Sequence, residues 1–499
     1  MRARIAVLGL LAAACRAPPQ QPDPCPDPIS ARLTAVPSSS PYDSLFVAAG
    51  VAFGVPADLL KAIGWVETRW QMVSGTEEFP GRPAAFGVMA LRGAALERGA
   101  ALAGVSPEAA RSDPRANIRA AAALLAELAA RTRGDWTAAA AELSGIDLPA
   151  GRAAYLREVN RARQGPAAAA AVEPCPPPDP GPDYATAIWR PSPNLNQRPA
   201  DATGVLHAVI IHTCEGNYAG CWSWLVNPVS EVSAHYVVDE DGSEISQLVH
   251  EPDRAWHIAA LYDCTLNKDH ECWLDGVQSN HFTVGIEHAG FASQGSFPAT
   301  QLDASATLVC DLTRDRGIPR DWQHIVAHGQ LQPENRVDPG PNWPWIGYLH
   351  RIQAACGEIV VDDSARYNDP GVAAVRVPGD WAATSPTPDY YGGGYSWAST
   401  LPGATDSAVF SFRLDQPVPR TVEARWTSGS NRSARATYVI IDAMANTLGV
   451  ATVDQTNGGG SWQPLGTWTF PAGWNRVALV RDAATGVIVV ADAIRVRAP

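Results

Sequence analysis

Four side chains able to handle a metal ion and a proton stand out: His212 and Glu287 at the ends of apolar runs in VIIHTCEG and TVGIEHAG, and His328 with Asp338, ten residues apart, in VAHGQLQPENRVDPG. Two neutral imidazoles and a carboxylate are a sufficient protein ligand set for catalytic Zn2+, because three ligands leave the fourth tetrahedral position to water. His212, His328 and Asp338 are the candidates for that set. A glutamate held beside such a water, without ligating the metal, can accept its proton during attack on a carbonyl and deliver it to a leaving amine. Glu287 is the candidate for this task. Any one histidine taken alone reads more simply as a polar group at a strand end; it is the four occurring together that point to a metal centre.

The segment that must position them, about 184–357, mixes short β-branched runs such as HAVIIHT and HYVVDEDGSEISQLV with helical stretches such as TQLDASATLVCDLTRDRG. The DEDGS turn between two strand-like runs signals a hairpin, and the whole predicts an α/β domain around a central mixed sheet. Before it, residues 41–163 carry helical periodicity in PADLLKAIGWVETRW and NIRAAAALLAELAAR, which predicts an all-α domain. The Pro- and Ala-rich stretch 164–183 reads as an extended linker. Residues 358–499 alternate in ATYVIIDA, GVATVDQT and GVIVVADAIRVRA and predict an all-β sandwich. A chain of 499 residues is too long for one core, which agrees with three domains.

A formal net charge of −13 argues against nucleic acid or an anionic membrane surface as partner, since phosphate binding needs a basic face. The start, MRARIAVLGLLAAAC, has the basic, apolar and small-residue order of an export signal. Its end resembles the lipobox of bacterial lipoproteins, with Cys15 as the lipidated residue, so residues 1–15 are expected to be a lipoprotein-type signal. The protein is then expected in the periplasm, anchored to the outer membrane through Cys15. Eight further cysteines remain in an oxidising space. Cys214 with Cys221, Cys264 with Cys272, Cys310 with Cys356 and Cys25 with Cys175 are candidate pairs, a connectivity that sequence alone does not fix.

At these residues the segment resembles the zinc-dependent N-acetylmuramoyl-L-alanine amidases, the family that includes the peptidoglycan recognition proteins. SAHYVVDEDGSEISQLVHEPDRAWHIA, FTVGIEHAGF and HGQLQPENRVDPGPNWPW carry the resemblance, in order and spacing. It implies a zinc enzyme that cuts the amide between N-acetylmuramic acid and the L-alanine of the stem peptide of peptidoglycan. It places the metal ligands on His212, His328 and Asp338 and the catalytic glutamate on Glu287. The family's basic residue, usually lysine, falls on Arg336, whose charge can steady an oxyanion although its planar fork differs from an ammonium. One branch has a catalytic tyrosine where this chain has Ala234, which puts the chemical load on Glu287. His235 is read as structural, and His257 with Trp256 as the rim of the substrate cleft. Trp256, Trp343 and Trp345 either line that cleft or belong to the core. The other class of function, a recognition module that binds peptidoglycan without cutting it, is disfavoured because Asp338 and Glu287 are both present.

The helical segment, through LLKAIGWVETRW, AFGVMAL and DPRANIRAAAALLAEL, resembles the lytic transglycosylases with a lysozyme-like fold. That resemblance implies Glu67 as a glycan-cutting acid and base, and hence a bifunctional enzyme. The family's Gly-Leu-Met-Gln, however, appears as Gly87-Val88-Met89-Ala90, and its Ala-Tyr-Asn as Ala141-Glu142-Leu143, so a glycan-holding domain is the rival reading. The C-terminal segment resembles golvesin-type and xanthan-lyase-type domains, with Asp454, Gln455, Trp462 and Asp492 on the family's motif; structural roles are the expectation for these four.

Overall fold

The computed structural model describes residues 36–79, 81–164 and 181–499. The expected signal at 1–15 with Cys15, the Cys25–Cys175 pair and most of the expected linker lie outside the described residues.

Helices α1 (Asp43–Phe53), α2 (Ala57–Thr68), α3 (Gly93–Ala103), α4 (Pro107–Ser112), α5 (Pro114–Arg131), α6 (Trp136–Leu143) and α7 (Pro149–Gln164) build the first domain. The long central α5 starts where DPRA directs it: Asp113 accepts the Ala116 N–H at 2.8 Å and Pro114 occupies the first turn, where no N–H is needed. Buried Asn117 on α5 receives the Met89 N–H and donates to Phe86 O and Ala110 O. It thereby fixes the two-residue ribbon of β1 (Ala85–Phe86) and β2 (Leu91–Arg92). Residues 69–79 leave the end of α2 and cross to the second domain as a strap.

The second domain is a six-stranded sheet. Its strands are β3 (Ile188–Trp189), β5 (Ala208–Thr213), β6 (Tyr236–Val238), β7 (Ile245–Gln247), β9 (Thr283–His288) and β10 (Ile325–Ala327), and a separate ribbon pairs β4 (Leu195–Gln197) with β8 (Asp253–Ala255). The order is β10-β5-β9-β6-β7-β3, parallel except for the antiparallel β6–β7 hairpin closed by the DEDGS turn. Every residue of β5 and β9 is buried, as parallel strands covered on both faces require. Helices α8 (Tyr218–Leu225), α9 (Ala299–Arg316), the short α10 (His328–Leu331) and α11 (Trp345–Ala355) complete it. The expected pairs Cys214–Cys221, Cys264–Cys272 and Cys310–Cys356 are all disulfides.

The third domain is an all-antiparallel β-sandwich between residues 359 and 497, in sheets of four, five and three strands. Its inward face is rich in aromatics, among them Phe410, Phe412, Trp426 and Phe470. The first two domains share one apolar core, which runs from Phe46, Leu60 and Leu125 into Trp222, Val237 and Leu248. They are thus packed against each other as one body.

Candidate metal centre

The register of three parallel strands aligns the chemistry. His212 on β5 is the direct partner of Glu287 on β9, and Ala327 of β10 pairs with Ile211, so His328, one residue further on, stands level with His212. The rank lies at the carboxyl ends of the strands, where ligands bind in sheets of this kind. Asp338 returns to it from the loop after α10. Close approach there is enforced by Gly340, which has φ +94 and whose added Cβ would sit 1.9 Å from Ala292 O.

The three expected ligands converge. His212 Nδ1 and His328 Nδ1 are 2.9 Å apart, and an Asp338 oxygen lies 3.2 Å from each of them. All three side chains are buried, and Asp338 Oδ1 has no hydrogen-bond partner. Two imidazole nitrogens aimed at each other, with a half-satisfied buried carboxylate between them, form a donor set that fits a divalent zinc ion. The electrostatics agree. Burial lowers His328, yet Asp338 and Glu78 outweigh it and lift the imidazole to about 10, the sign of a carboxylate-rich pocket that favours a cation. His212 is lowered to about 4 by burial and by His328.

The far side of each imidazole is also held. His212 Nε2 faces His257 Nδ1 at 3.1 Å, His257 Nε2 faces Thr283 Oγ1 at 3.2 Å, and His328 Nε2 faces Gln332 Oε1 at 3.3 Å. Such contacts fix ring orientation and tautomer in metal sites. His257 therefore lies beneath His212, buried, and not at the rim expected from sequence; the β9 backbone at Gly285 leaves room for its ring. That room is narrow, because a Cβ on Gly285 would fall 2.4 Å from His257 Cγ. Gly285→Ala is expected to push His257 away from His212, to destabilise the protein by about 1–3 kcal/mol in denaturant unfolding, and to weaken zinc retention about 10–100-fold against a chelator.

Trp256 is half-buried, and its indole N–H donates to Asn196 at 2.8 Å. Trp343 is core, packed among His288, Phe297 and Tyr348. Ala234 is fully buried and His235 accepts the Gly285 N–H at 3.1 Å. Glu287 is buried with Oε2 unpartnered. Burial, Glu78 and Asp338 push its carboxyl well above the usual range.

Sequence reasoning missed one member of this cluster. Glu78, on the strap from the helical domain, brings a carboxylate oxygen within 4.8 Å of the donor atoms of His212, His328 and Asp338 and lies 3.4 Å from Arg336. No periodicity marks VSGTEEFPGRP, so no signal in the sequence could have found it.

Glu67 lies apart from this centre, at a cavity of about 450 Å³ between the two domains, lined also by Arg82, Arg92, Asn217 and Trp224. The Asn217 amide, from the sheet domain, donates to Glu67 Oε2 at 3.0 Å. Burial lifts this carboxyl above its ordinary range against the pull of Asn217 and Tyr155. In the sandwich, Gln455 bonds the backbone of Val490 in both directions and Asp454 caps its own turn at Thr456. Asp492 accepts the Tyr391 N–H, and Trp462 packs on Tyr391 and Arg495.

Family models match in three places: N-acetylmuramoyl-L-alanine amidase over residues 202–341, transglycosylase SLT domain over 44–142, and golvesin C-terminal domain over 362–498. N-acetylmuramoyl-L-alanine amidase A of Achromobacter lyticus is 35% identical over 193 residues, covering 35% of this chain and 98% of that protein. Xanthan lyase of Bacillus sp. (strain GL1) is 28% identical over 231 residues, or 44% of this chain and 22% of that protein. The crystal structure of a selenomethionine AmpD derivative is 25% identical with a TM-score of 0.27, covering 34% of this chain and 94% of that one. With an amidase-type hydrolytic centre in its sheet domain, flanked by a transglycosylase-like helical domain and a golvesin-like sandwich, the chain belongs to the N-acetylmuramoyl-L-alanine amidase family.

Proposed function

We propose that the protein hydrolyses the amide between the lactyl carbonyl of N-acetylmuramic acid and the L-alanine of the stem peptide. The observation that carries this is the rank His328–His212–Glu287 across three neighbouring strands, closed by Asp338. His212, His328 and Asp338 would hold Zn2+, which when bound acidifies water and polarises the carbonyl. Glu287 then accepts the proton of the attacking water and delivers it to the alanine nitrogen as the C–N bond breaks. Arg336 offers positive charge to the oxyanion that forms in between. His257 and Gln332 keep the imidazoles turned toward the metal.

The helical domain is assigned to holding the enzyme on its polymer. Glu67 is engaged by Asn217, and the positions where the transglycosylases carry Gln, Tyr and Asn hold Ala90, Glu142 and Leu143. Mass spectrometry of digested sacculi tests both assignments. Free stem peptides and no 1,6-anhydromuramic ends are expected; anhydro ends that vanish in Glu67→Gln would reinstate a second, glycan-cutting activity, and absence of free peptides would refute the amidase reading.

A further inference from the structure

The strap that leaves α2 ends inside the metal centre of the other domain. Glu78 is 5% exposed, and its Oε1 lies 3.3 Å from His328 Nδ1. Its position is fixed by several independent contacts. The Ser74 N–H donates to Ser293 Oγ at 3.0 Å, the Thr76 N–H to Glu215 Oε2 at 2.9 Å, and the Arg82 guanidinium to Gly220 O at 3.1 Å. In return, the Gly295 N–H donates to Gln71 Oε1 at 2.9 Å. Glu215 is itself held by the Ala292 N–H at 2.6 Å, so the strap is stitched to both walls of the cleft on its way to the site.

Resting on the metal-amidase reading above, we propose that Glu78 is a fourth metal ligand, supplied by the helical domain, which closes the position that water and substrate need and holds most of the folded population latent, leaving a minor active fraction in which the strap is displaced. Catalytic zinc keeps one position open, whereas closed four-ligand zinc is structural. His212, His328 and Asp338 supply three donors, and the strap supplies the fourth. Glu78 is also ion-paired with Arg336, so the same carboxylate occupies both the metal's free position and the cation that would meet an oxyanion. A carboxylate buried beside Asp338 and Glu287 is unfavourable unless a cation compensates it. The seated strap and the bound metal therefore support each other.

The test uses the full chain loaded with Co2+, with acetohydroxamate as a small chelating probe and the visible spectrum as readout, comparing wild type with Glu78→Ala and the isosteric Glu78→Gln. If the strap is seated about nine-tenths of the time, the probe binds the variants about tenfold more tightly than wild type. Hydrolysis of a soluble muropeptide rises by a similar factor. Equal probe affinity in all three proteins would overturn the proposal, as would a variant that loses activity while keeping its metal. A His212→Ala protein that still gives the wild-type cobalt spectrum would instead sink the metal site on which the proposal rests, so the two failures are told apart.

Discussion

Glu287→Gln is expected to keep its full complement of zinc and to lose about 10²–10⁴-fold in turnover on peptidoglycan fragments, whereas His212→Ala and Asp338→Ala are expected to lose the metal and the activity together. The factor is the ordinary contribution of a positioned acid–base group. The separation follows from where the side chains sit: His212 and Asp338 belong to the converging donor set, while Glu287 stands beside it on β9 with an unpartnered oxygen. Glutamine preserves the shape of that side chain and removes its capacity to take a proton. Metal content by elemental analysis and peptide release by chromatography, measured on the same preparations, check the result. Near wild-type turnover in Glu287→Gln would remove the proposed proton path.

The second large effect is on stability. Arg425, from the sandwich, donates to Asp321 of the sheet domain at 3.1 Å and to Asp389 O at 3.1 Å, with its side chain 6% and that of Asp321 2% exposed. Removing Arg425 leaves the buried Asp321 charge to His324 alone, so Arg425→Ala is expected to cost about 3 kcal/mol in denaturant unfolding, the lower end for breaking a buried pair. Burial raises the Asp321 carboxyl, but His324 and Arg425 outweigh it and hold it well below the carboxylate range. A carboxyl depressed in the folded state stabilises above its unfolded pKa of about 3.9 and loses that contribution as the pH falls. The difference between wild type and Arg425→Ala should accordingly be full at neutral pH and narrow on acidification below about pH 4. A difference that stays constant there would show that the charge of Asp321 is not what the arginine compensates.

The strand-end placement of His212 and Glu287 was legible because each closes an apolar run, and their alignment with His328 follows once the strands are parallel and in register. The helices were legible for the same local reason, through the apolar spacing of α2 and α5 and the Asp-Pro start of the latter. Glu78 was not, because its role depends on docking between domains, and an acidic residue in a polar loop looks in sequence like any solvated charge. His257 was misplaced for a related reason: RAWHIA gives no hint that Gly285, far along the chain, vacates the space its ring fills. Asn117 lay unnoticed within DPRANIR, since a buried amide that organises a ribbon leaves no periodic trace.

The common rank of His328, His212 and Glu287 also sets which sequence changes this scaffold can absorb. A single-residue insertion within β5, β9 or β10 turns the following side chains to the opposite face of the sheet, so it would remove its ligand or its glutamate at one stroke. Loops beyond the strand ends carry no such parity and tolerate lengthening well. Length variation in this scaffold is thus open only in connecting segments away from helix α8, the disulfide-closed turns and the strap-holding residues 292–295, while the three short strands admit substitution but no change of length.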